Sequence, residues 1–180
     1  MARILLFSDS HGVFAAMQAL RARVEADAPD LVCFLGDALY HGPRNGVPLD
    51  YDTKASAEAF NAMAERIVAV RGNCDAEIDQ AVLHFPILAD YALLCEGGRT
   101  VFATHGHLYN LDCLPPLHAG DILLHGHTHV PACVEKDGIF YLNPGSAAIP
   151  KESSPHSVMT LEDGIFRWID LDSGAEYRRF

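Results

Sequence analysis

Residues 4–12 read Ile-Leu-Leu-Phe-Ser-Asp-Ser-His-Gly, a short apolar run that opens into a polar loop. An apolar run of this length, bounded by turn-forming residues, predicts a buried β-strand. The next residues place Phe14, Met17, Leu20 and Val24 at helical spacing, which predicts a helix with one buried face. The chain therefore begins with a β-α unit that leaves polar side chains at the carboxyl end of its strand.

Two more units of the same kind follow. Residues 31–35 predict a second buried strand, which leads to Asp37, and residues 67–70 predict a third, which leads to Asn73. A long polar loop and a predicted helix over residues 53–66 lie between these two strands. Successive β-α units with polar residues after each strand are typical of a parallel sheet whose site lies along its carboxyl edge.

The second half of the chain is rich in predicted strands separated by turn signals such as Asp137-Gly138 and Asp163-Gly164. The predicted strands cover residues 91–95, 100–104, 121–125, 130–135, 139–143, 158–161 and 165–169. The sequence shows no internal repeat or linker, and its length suits a single domain. We expect one α/β domain over residues 1–180, with two sheets packed face to face and helices outside.

Composition excludes several classes of function. Hydrophobic residues make up 49% of the chain and charged residues 21%, which is typical of a globular protein. The formal net charge of −11 would repel a long polyanion, so we expect no large nucleic-acid partner. No apolar run is long enough to span a bilayer, so no membrane partner is expected. Five cysteines without a C-x-x-C pair, and no export signal, predict a reducing, cytoplasmic location.

Histidines cluster between residues 105 and 129, and histidine is the commonest metal ligand. The side chains that follow predicted strands and could bind a metal are Asp9, His11, Asp37, Asn73, His105, His127 and His129. Mixed oxygen and nitrogen ligands suit Mn, Fe, Zn, Co or Ni better than Mg or Ca alone. Seven ligands are too many for one ion with an open position, and about right for two ions that share a carboxylate.

Five short motifs occur in a fixed order. They are Asp9-Ser10-His11, Gly36-Asp37, Gly72-Asn73-Cys74-Asp75, Thr104-His105-Gly106-His107 and Gly126-His127-Thr128-His129. Each motif alone is weak, since Asn73 could be a turn residue and a lone histidine is more often structural. In this order they make the chain resemble the calcineurin-like metallophosphoesterase family. Within this family the chain resembles the small bacterial YfcE-type phosphodiesterases, which share H-G-P-R-N (residues 41–45) and G-N-C-D (residues 72–75).

The resemblance implies a fold, a metal centre and a reaction. The fold is a four-layer α/β/β/α sandwich of two mixed sheets flanked by helices. The implied ligands are Asp9, His11 and His129 for one ion, Asn73, His105 and His127 for the other, and Asp37 as the bridge. The implied cofactors are two divalent ions, Mn first, with Fe, Zn, Ni or Co as alternatives. A hydroxide bridging the ions would hydrolyse small phosphodiesters, because bound cations lower the pKa of water.

Two other functions stay open on the sequence. A phosphomonoesterase or protein phosphatase would use the same ligands. Some relatives of this fold have lost catalysis and act as protein-interaction scaffolds, and a fold alone does not prove activity. Such scaffolds usually lack ligands, whereas every expected ligand is present here. The short chain leaves no room for a separate specificity domain, which favours small substrates; a homo-oligomer is expected from the resemblance alone.

Cys74 stands where many family members have a histidine that protonates the leaving group. A thiol with an ordinary pKa of about 8.5 is a weaker candidate for that role. Protonation is therefore either dispensable, with good leaving groups favoured, or supplied by His41 or His107. Arg44 could bind a phosphoryl oxygen through its fork of donors. Together with Asn73, these residues are the candidate catalytic set.

We predict that Cys74→His changes the preference of the enzyme among leaving groups, because the imidazole would supply the missing acid. The measurement is the rate of hydrolysis of a series of diesters whose leaving groups differ in pKa, for the variant and the wild type. An unchanged preference would contradict the hypothesis.

Overall fold

The computed structural model describes residues 2–180. Its helices are α1 (Phe14–Asp27), α2 (Thr53–Asn61) and α3 (Glu77–Gln80), with a 3-10 turn at Ala64–Arg66. Its strands are β1 (Ile4–Phe7), β2 (Leu31–Phe34), β3 (Ile67–Ala69), β4 (Tyr91–Glu96), β5 (Arg99–Thr104), β6 (Ile122–Leu124), β7 (Ala132–Lys136), β8 (Ile139–Asn143), β9 (Ser157–Glu162), β10 (Ile165–Asp170) and β11 (Glu176–Arg179). Among these residues, no helix is both long and apolar enough to cross a bilayer.

The strands form two mixed sheets, as predicted. The first has the order β11-β10-β9-β1-β2-β3, in which β1, β2 and β3 are parallel and β9 runs antiparallel to β1. The second has the order β4-β5-β6-β8-β7, in which β5, β6 and β8 are parallel. The last three strands of the chain therefore return to extend the first sheet beside its first strand.

Apolar side chains that point alternately to the two faces of the first sheet form two cores, one on each face. In β1, Ile4 and Leu6 face the second sheet, while Leu5 and Phe7 face the helices. Because successive side chains of a strand point to opposite faces, one four-residue strand serves both cores. The inter-sheet core also contains Leu35, Val101, Leu124, Leu142, Met159 and Trp168, and the helix-side core contains Met17, Leu20, Phe34 and Phe60.

The two outer faces are covered differently. The helices of the described residues all precede residue 81, and α1 and α2 cover the first sheet. On the second sheet, Phe102, Leu123 and Tyr141 point outward and pack against Tyr109 and Leu117 from the loop between β5 and β6. That loop occupies the position of the fourth layer on this face.

Several elements differ from the sequence prediction. The second helix ends at Asn61 rather than near residue 66, and the 3-10 turn carries the chain into β3. The third unit has only the four-residue α3 before the chain passes to the second sheet. Strand β11 was not predicted, because its side chains are all exposed and show no apolar alternation. Its Arg178 guanidinium lies 5.8 Å from the centre of the Trp168 ring.

The carboxyl ends of the parallel strands meet at one edge, where loops from both sheets cross. Gly126 N donates to His105 O within the second sheet, and Ala147 N donates to Ser8 O between the sheets. A Cβ atom at Gly126 would overlap the Ser8 side chain, so only glycine permits this approach. The edge therefore brings residues after β1, β2, β3, β5 and β6 together.

We predict that Trp168→Phe destabilises the fold. Trp168 is fully buried, and its Nε1 donates to Asn143 O over 2.7 Å. The unpaired carbonyl alone costs about 1–3 kcal/mol, and lost packing adds to that cost. Urea denaturation followed by circular dichroism measures the free energy of unfolding, since the variant lacks the single tryptophan.

Tyr177→Phe is the control on the same sheet. It removes a 2.6 Å hydrogen bond to Ser157 from a side chain that is 41% exposed. A hydrogen bond of this kind contributes about 0.5–1.5 kcal/mol, and the variant keeps the aromatic ring. Equal losses in the two variants would show that burial of the indole N–H does not matter.

Candidate metal centre

The loops after β1 and β6 bring the first group of predicted ligands together. His129 Nε2 lies 3.4 Å from Asp9 Oδ1, and His11 Nε2 lies 3.7 Å from the same oxygen. The two Nε2 atoms are 3.3 Å apart. All three side chains are buried, and they can offer one ligand atom each to a single ion.

Hydrogen bonds on the far side of each ring fix which nitrogen faces the site. His11 Nδ1 is 2.7 Å from Tyr40 O, and His129 Nδ1 is 2.8 Å from Ile149 O. A carbonyl oxygen only accepts, so both Nδ1 atoms donate, and each neutral ring presents its Nε2 lone pair to the other. Two facing lone pairs cannot hydrogen-bond, and a cation between them would satisfy both. Metal-binding histidines usually donate the N–H of their other ring nitrogen to such an acceptor.

The second group comes from the loops after β3, β5 and β6. His105 Nε2 lies 3.1 Å from Asn73 Oδ1 and 3.2 Å from His127 Nδ1. His105 Nδ1 is 2.7 Å from Leu35 O, so its Nε2 is again the atom that faces the site. An amide oxygen and two imidazole nitrogens therefore converge on one point.

Asp37 lies between the two groups. Its Oδ2 is 3.6 Å from His11 Nε2 and 3.5 Å from His105 Nε2. Its Oδ1 is already occupied, because it accepts the backbone N–H of Cys74 over 2.8 Å. One oxygen of a single carboxylate thus faces both groups, which is the arrangement that a bridging ligand requires.

The donor set fits divalent metal ions. Ligand atoms bonded at about 2.0–2.2 Å to one ion lie about 3.0–3.5 Å apart, close to the separations within each group, which range from 3.1 to 3.7 Å. Within residues 2–180, the buried Asp9 Oδ1 has no hydrogen-bond partner, although Asp9 Oδ2 accepts the His127 N–H over 3.1 Å. A buried carboxylate oxygen without a donor is costly unless a cation neutralises it.

The backbone at these positions is unusual. Left-handed φ angles occur at five of the predicted ligands, namely Asp9 (58°), His11 (46°), Asp37 (63°), His127 (66°) and His129 (62°). Non-glycine residues rarely adopt this conformation, and clusters of it mark functional sites. Loop-to-loop hydrogen bonds hold it, such as His11 N to Asp37 O at 3.0 Å.

Comparison with known proteins agrees with this geometry. A family model described as the Calcineurin-like phosphoesterase superfamily domain matches residues 2–163. The chain belongs to this superfamily. The family resemblance of the sequence is thereby confirmed.

Comparisons of this calcineurin-like phosphoesterase with individual proteins support the same family. It is 39% identical over 172 residues to phosphodiesterase YfcE of Escherichia coli K12, which covers 96% of this chain and 94% of the relative. It is 28% identical over 169 residues to the probable metallophosphoesterase YsnB of Bacillus subtilis, with 89% and 85% covered. The solved structure of the E. coli phosphoesterase YfcE superposes with a TM-score of 0.95 at 36% identity, covering 99% and 98% of the two chains.

A cleft of about 540 Å³ opens over the two groups, a size that suits a small molecule. Of the candidate catalytic residues, Asn73, Cys74 and Arg44 line it. Asn45 and Lys151 line it as well. Lys151 was not predicted, because it follows no strand and belongs to no motif; only the approach of its loop to His129 brings it to the cleft, through the bond from Lys151 N to His129 O.

The two candidate histidines lie outside the lining of this cleft. The ring of His107 packs 5.4 Å from His105 and 6.3 Å from His127, centre to centre. The ring of His41 packs against Tyr40 at 4.8 Å and Tyr51 at 5.2 Å. Within residues 2–180, neither buried Nδ1 has a hydrogen-bond partner.

Residues behind the ligands hold the loops in place. Ser146 Oγ donates to Asp9 O over 2.8 Å. Asn143 Nδ2 donates to Gly126 O over 2.8 Å, and so ties β8 to the loop that carries His127 and His129. Both residues belong to the Asn143-Pro144-Gly145-Ser146 segment at the end of β8.

Charges at the site interact strongly in the metal-free protein. Burial by itself lowers the pKa of His105, but the carboxylates of Asp37 and Asp9 outweigh it and raise the pKa to about 9. Burial, together with the charge on His105, lowers the pKa of His127 to about 4. Burial, and then the charge on Asp37, raises the pKa of the Cys74 thiol to about 12.

We predict that the metal-free protein is most stable near pH 6.5. The raised pKa of His105 gives stability that is fully present below 6.5 and is lost as pH rises toward 9. The lowered pKa of His127 makes stability fall on the acid side, which is the acid limb of the profile. The unfolded chain gains a proton as pH falls from 6.5 toward 4, whereas the folded chain does not. Calorimetry of chelator-treated protein from pH 4 to 9 measures both limbs.

His105→Asn is the matched variant for the alkaline limb. It removes the proton that binds between the carboxylates, so the fall in melting temperature between pH 6.5 and 9 should become smaller. A metal-free wild type whose stability rises over this interval would contradict the assignment.

Proposed function

We propose that this chain is a phosphodiesterase that hydrolyses small phosphodiesters with two divalent metal ions, within one domain over residues 1–180. One ion is held by Asp9, His11 and His129, the other by Asn73, His105 and His127, and Asp37 is shared between them. The observation that carries the proposal is the single Asp37 oxygen, 3.6 Å from His11 Nε2 and 3.5 Å from His105 Nε2. The 39% identity to phosphodiesterase YfcE supports the diester class.

Mn is the metal that we propose first, with Fe, Zn, Ni and Co as alternatives. Imidazole, carboxylate and amide ligands together match these borderline ions. When bound, such ions supply a nucleophile from water at neutral pH and stabilise negative charge on phosphoryl oxygens.

The chain's own residues bind and orient the substrate. Arg44 and Lys151 are the two positively charged residues that line the cleft, together with the Asp37 carboxylate and the imidazoles of His11, His127 and His129. We propose that they bind the phosphoryl oxygens that do not face the metal ions, with the Asn45 amide as a further donor. The formal net charge of −11 over the whole chain disfavours long nucleic acids as substrates.

The site offers only poor proton donors for the leaving group. A thiol whose pKa is near 12 is a poor proton donor at neutral pH. Burial, with the charge on His105, lowers the pKa of His107, so this imidazole is mostly neutral and is also a poor donor. His41 does not line the cleft. We therefore favour the alternative in which leaving groups of low pKa are preferred, and this supports diesters with aryl or similarly acidic leaving groups.

A cytoplasmic location is also part of the proposal. The five cysteines are all free, which suits a reducing compartment. The homo-oligomer stays a prediction, as does the absence of a membrane partner.

We predict that chelator-stripped protein reloaded with Mn hydrolyses bis(p-nitrophenyl) phosphate, and that Asp37→Asn abolishes this activity. The amide of asparagine carries no charge and bridges two cations poorly, so a loss of at least about 100-fold is expected. Release of p-nitrophenolate measures the rate.

Two comparisons complete this experiment. Rates on p-nitrophenyl phosphate, a monoester with the same leaving group, separate a diesterase from a monoesterase. Asp163→Asn, a substitution in the turn between β9 and β10, serves as the control for removal of a carboxylate. Folded wild type that is inactive on both esters with every divalent ion would favour the scaffold function.

A further inference from the structure

One buried carboxylate joins the two loops that carry the shared ligand and Asn73. Asp75 is 9% exposed and does not line the cleft. Its Oδ2 accepts the backbone N–H groups of Asp37 at 2.9 Å and Gly72 at 2.7 Å, and its Oδ1 accepts that of Ala38 at 2.8 Å. Three backbone amides from two loops therefore end on one side chain.

A second side-chain hydrogen bond joins the same two loops, with donor and acceptor loops exchanged. Asp37 Oδ1 accepts the N–H of Cys74 over 2.8 Å, next to the residue whose carboxylate holds the Asp37 N–H. These two bonds form a closed pair that fixes both the backbone and the side chain of Asp37. The left-handed backbone of Asp37, with φ of 63°, is strained on its own and needs such support.

This pairing decides which oxygen is left for the metal ions. With Oδ1 held by Cys74, only Oδ2 of Asp37 faces His11 and His105. Asn73 lies between Gly72 and Cys74, so the bonds on either side of it fix its position relative to Asp37. A shift of either loop would move the shared oxygen away from one of the two groups.

We propose that Asp75 is the positioning residue of the two-ion centre: its carboxylate holds Asp37 and Asn73 at the separation that lets one oxygen serve both ions. It acts through the backbone, and it takes no part in proton transfer, because three amides already occupy its oxygens. This inference rests on the proposed function in one respect, namely that Asp37 and Asn73 bind metal.

Asp75→Asn tests the proposal with little change in shape. A carboxamide has one acceptor oxygen, and its NH₂ group would face a backbone N–H that also donates. The variant must therefore lose the bond to Ala38 or those to Asp37 and Gly72. Loss of such a supporting group typically weakens metal binding about 10- to 100-fold.

The matched control is Asp79→Asn. Asp79 is also 9% exposed, and its Oδ2 accepts the backbone N–H of Ala76 over 2.8 Å at the start of α3. That bond lies one residue beyond Asp75, at the end of the loop after β3, and it does not involve the amides of Asp37, Ala38 or Gly72. The two variants therefore remove the same charge at the same burial, but only one of them acts on the metal centre.

The experiment titrates Mn into metal-free wild type and both variants by calorimetry at 25 °C. We expect two ions in the wild type and in Asp79→Asn, and in Asp75→Asn a second ion bound about 10- to 100-fold more weakly. Electron paramagnetic resonance gives an independent readout, since a coupled Mn pair should be lost in Asp75→Asn alone. Wild-type affinity in Asp75→Asn, or equal weakening in Asp79→Asn, would overturn the inference.

A wild type that binds no divalent ion would instead overturn the proposed function, and the positioning role with it. If Asp75→Asn does not fold, amide hydrogen exchange of the metal-free wild type still decides. The N–H groups of Asp37, Ala38 and Gly72 should then be protected before any metal is added. Fast exchange at these three amides would show that Asp75 does not hold the loops.

Discussion

The site depends on burying groups that need a cation between them. His11 and His129 direct the same ring nitrogen at each other over 3.3 Å, and each donates from its other nitrogen to a backbone carbonyl. Asp9 contributes a buried oxygen that has no donor within the described residues. Such a cluster is costly without a positive charge, so the loops that hold it must be supported from outside the site.

The fold supplies that support where the two sheets meet. Asp9 and Asp37 follow adjacent parallel strands of one sheet, whereas His127 and His129 follow a strand of the other. Backbone bonds cross between these loops, and glycine at position 126 allows them to approach closely. Because ligands come from both sheets, metal binding should stabilise the contact between the sheets, as expected where metal binding is coupled to folding.

The chemistry of the cleft follows from what surrounds the ligands. A neutral thiol at Cys74 and a lowered pKa at His107 leave little acid for a leaving group, while Arg44 and Lys151 offer positive charge for phosphoryl oxygens. We infer that this calcineurin-like phosphoesterase relies on its ions and on positioning more than on proton transfer. The proposed function therefore predicts that substrates are selected by the leaving group rather than by a large binding surface.

Local pattern determined much of this protein. Apolar runs and helical spacing predicted β1, α1, β4 and β5, and the order of the motifs predicted seven candidate ligands that the fold brings into two groups. These features are set by residues close in sequence. Only the tertiary structure decided that one Asp37 oxygen faces both groups, that Lys151 reaches the cleft, that Asp75 locks two loops, and that β11 pairs with β10. The pairing of β11 is local, but its exposed side chains show no apolar alternation that would predict it. The other three features depend on the distance between segments far apart in the chain, which the packing of the two sheets fixes and no local pattern records.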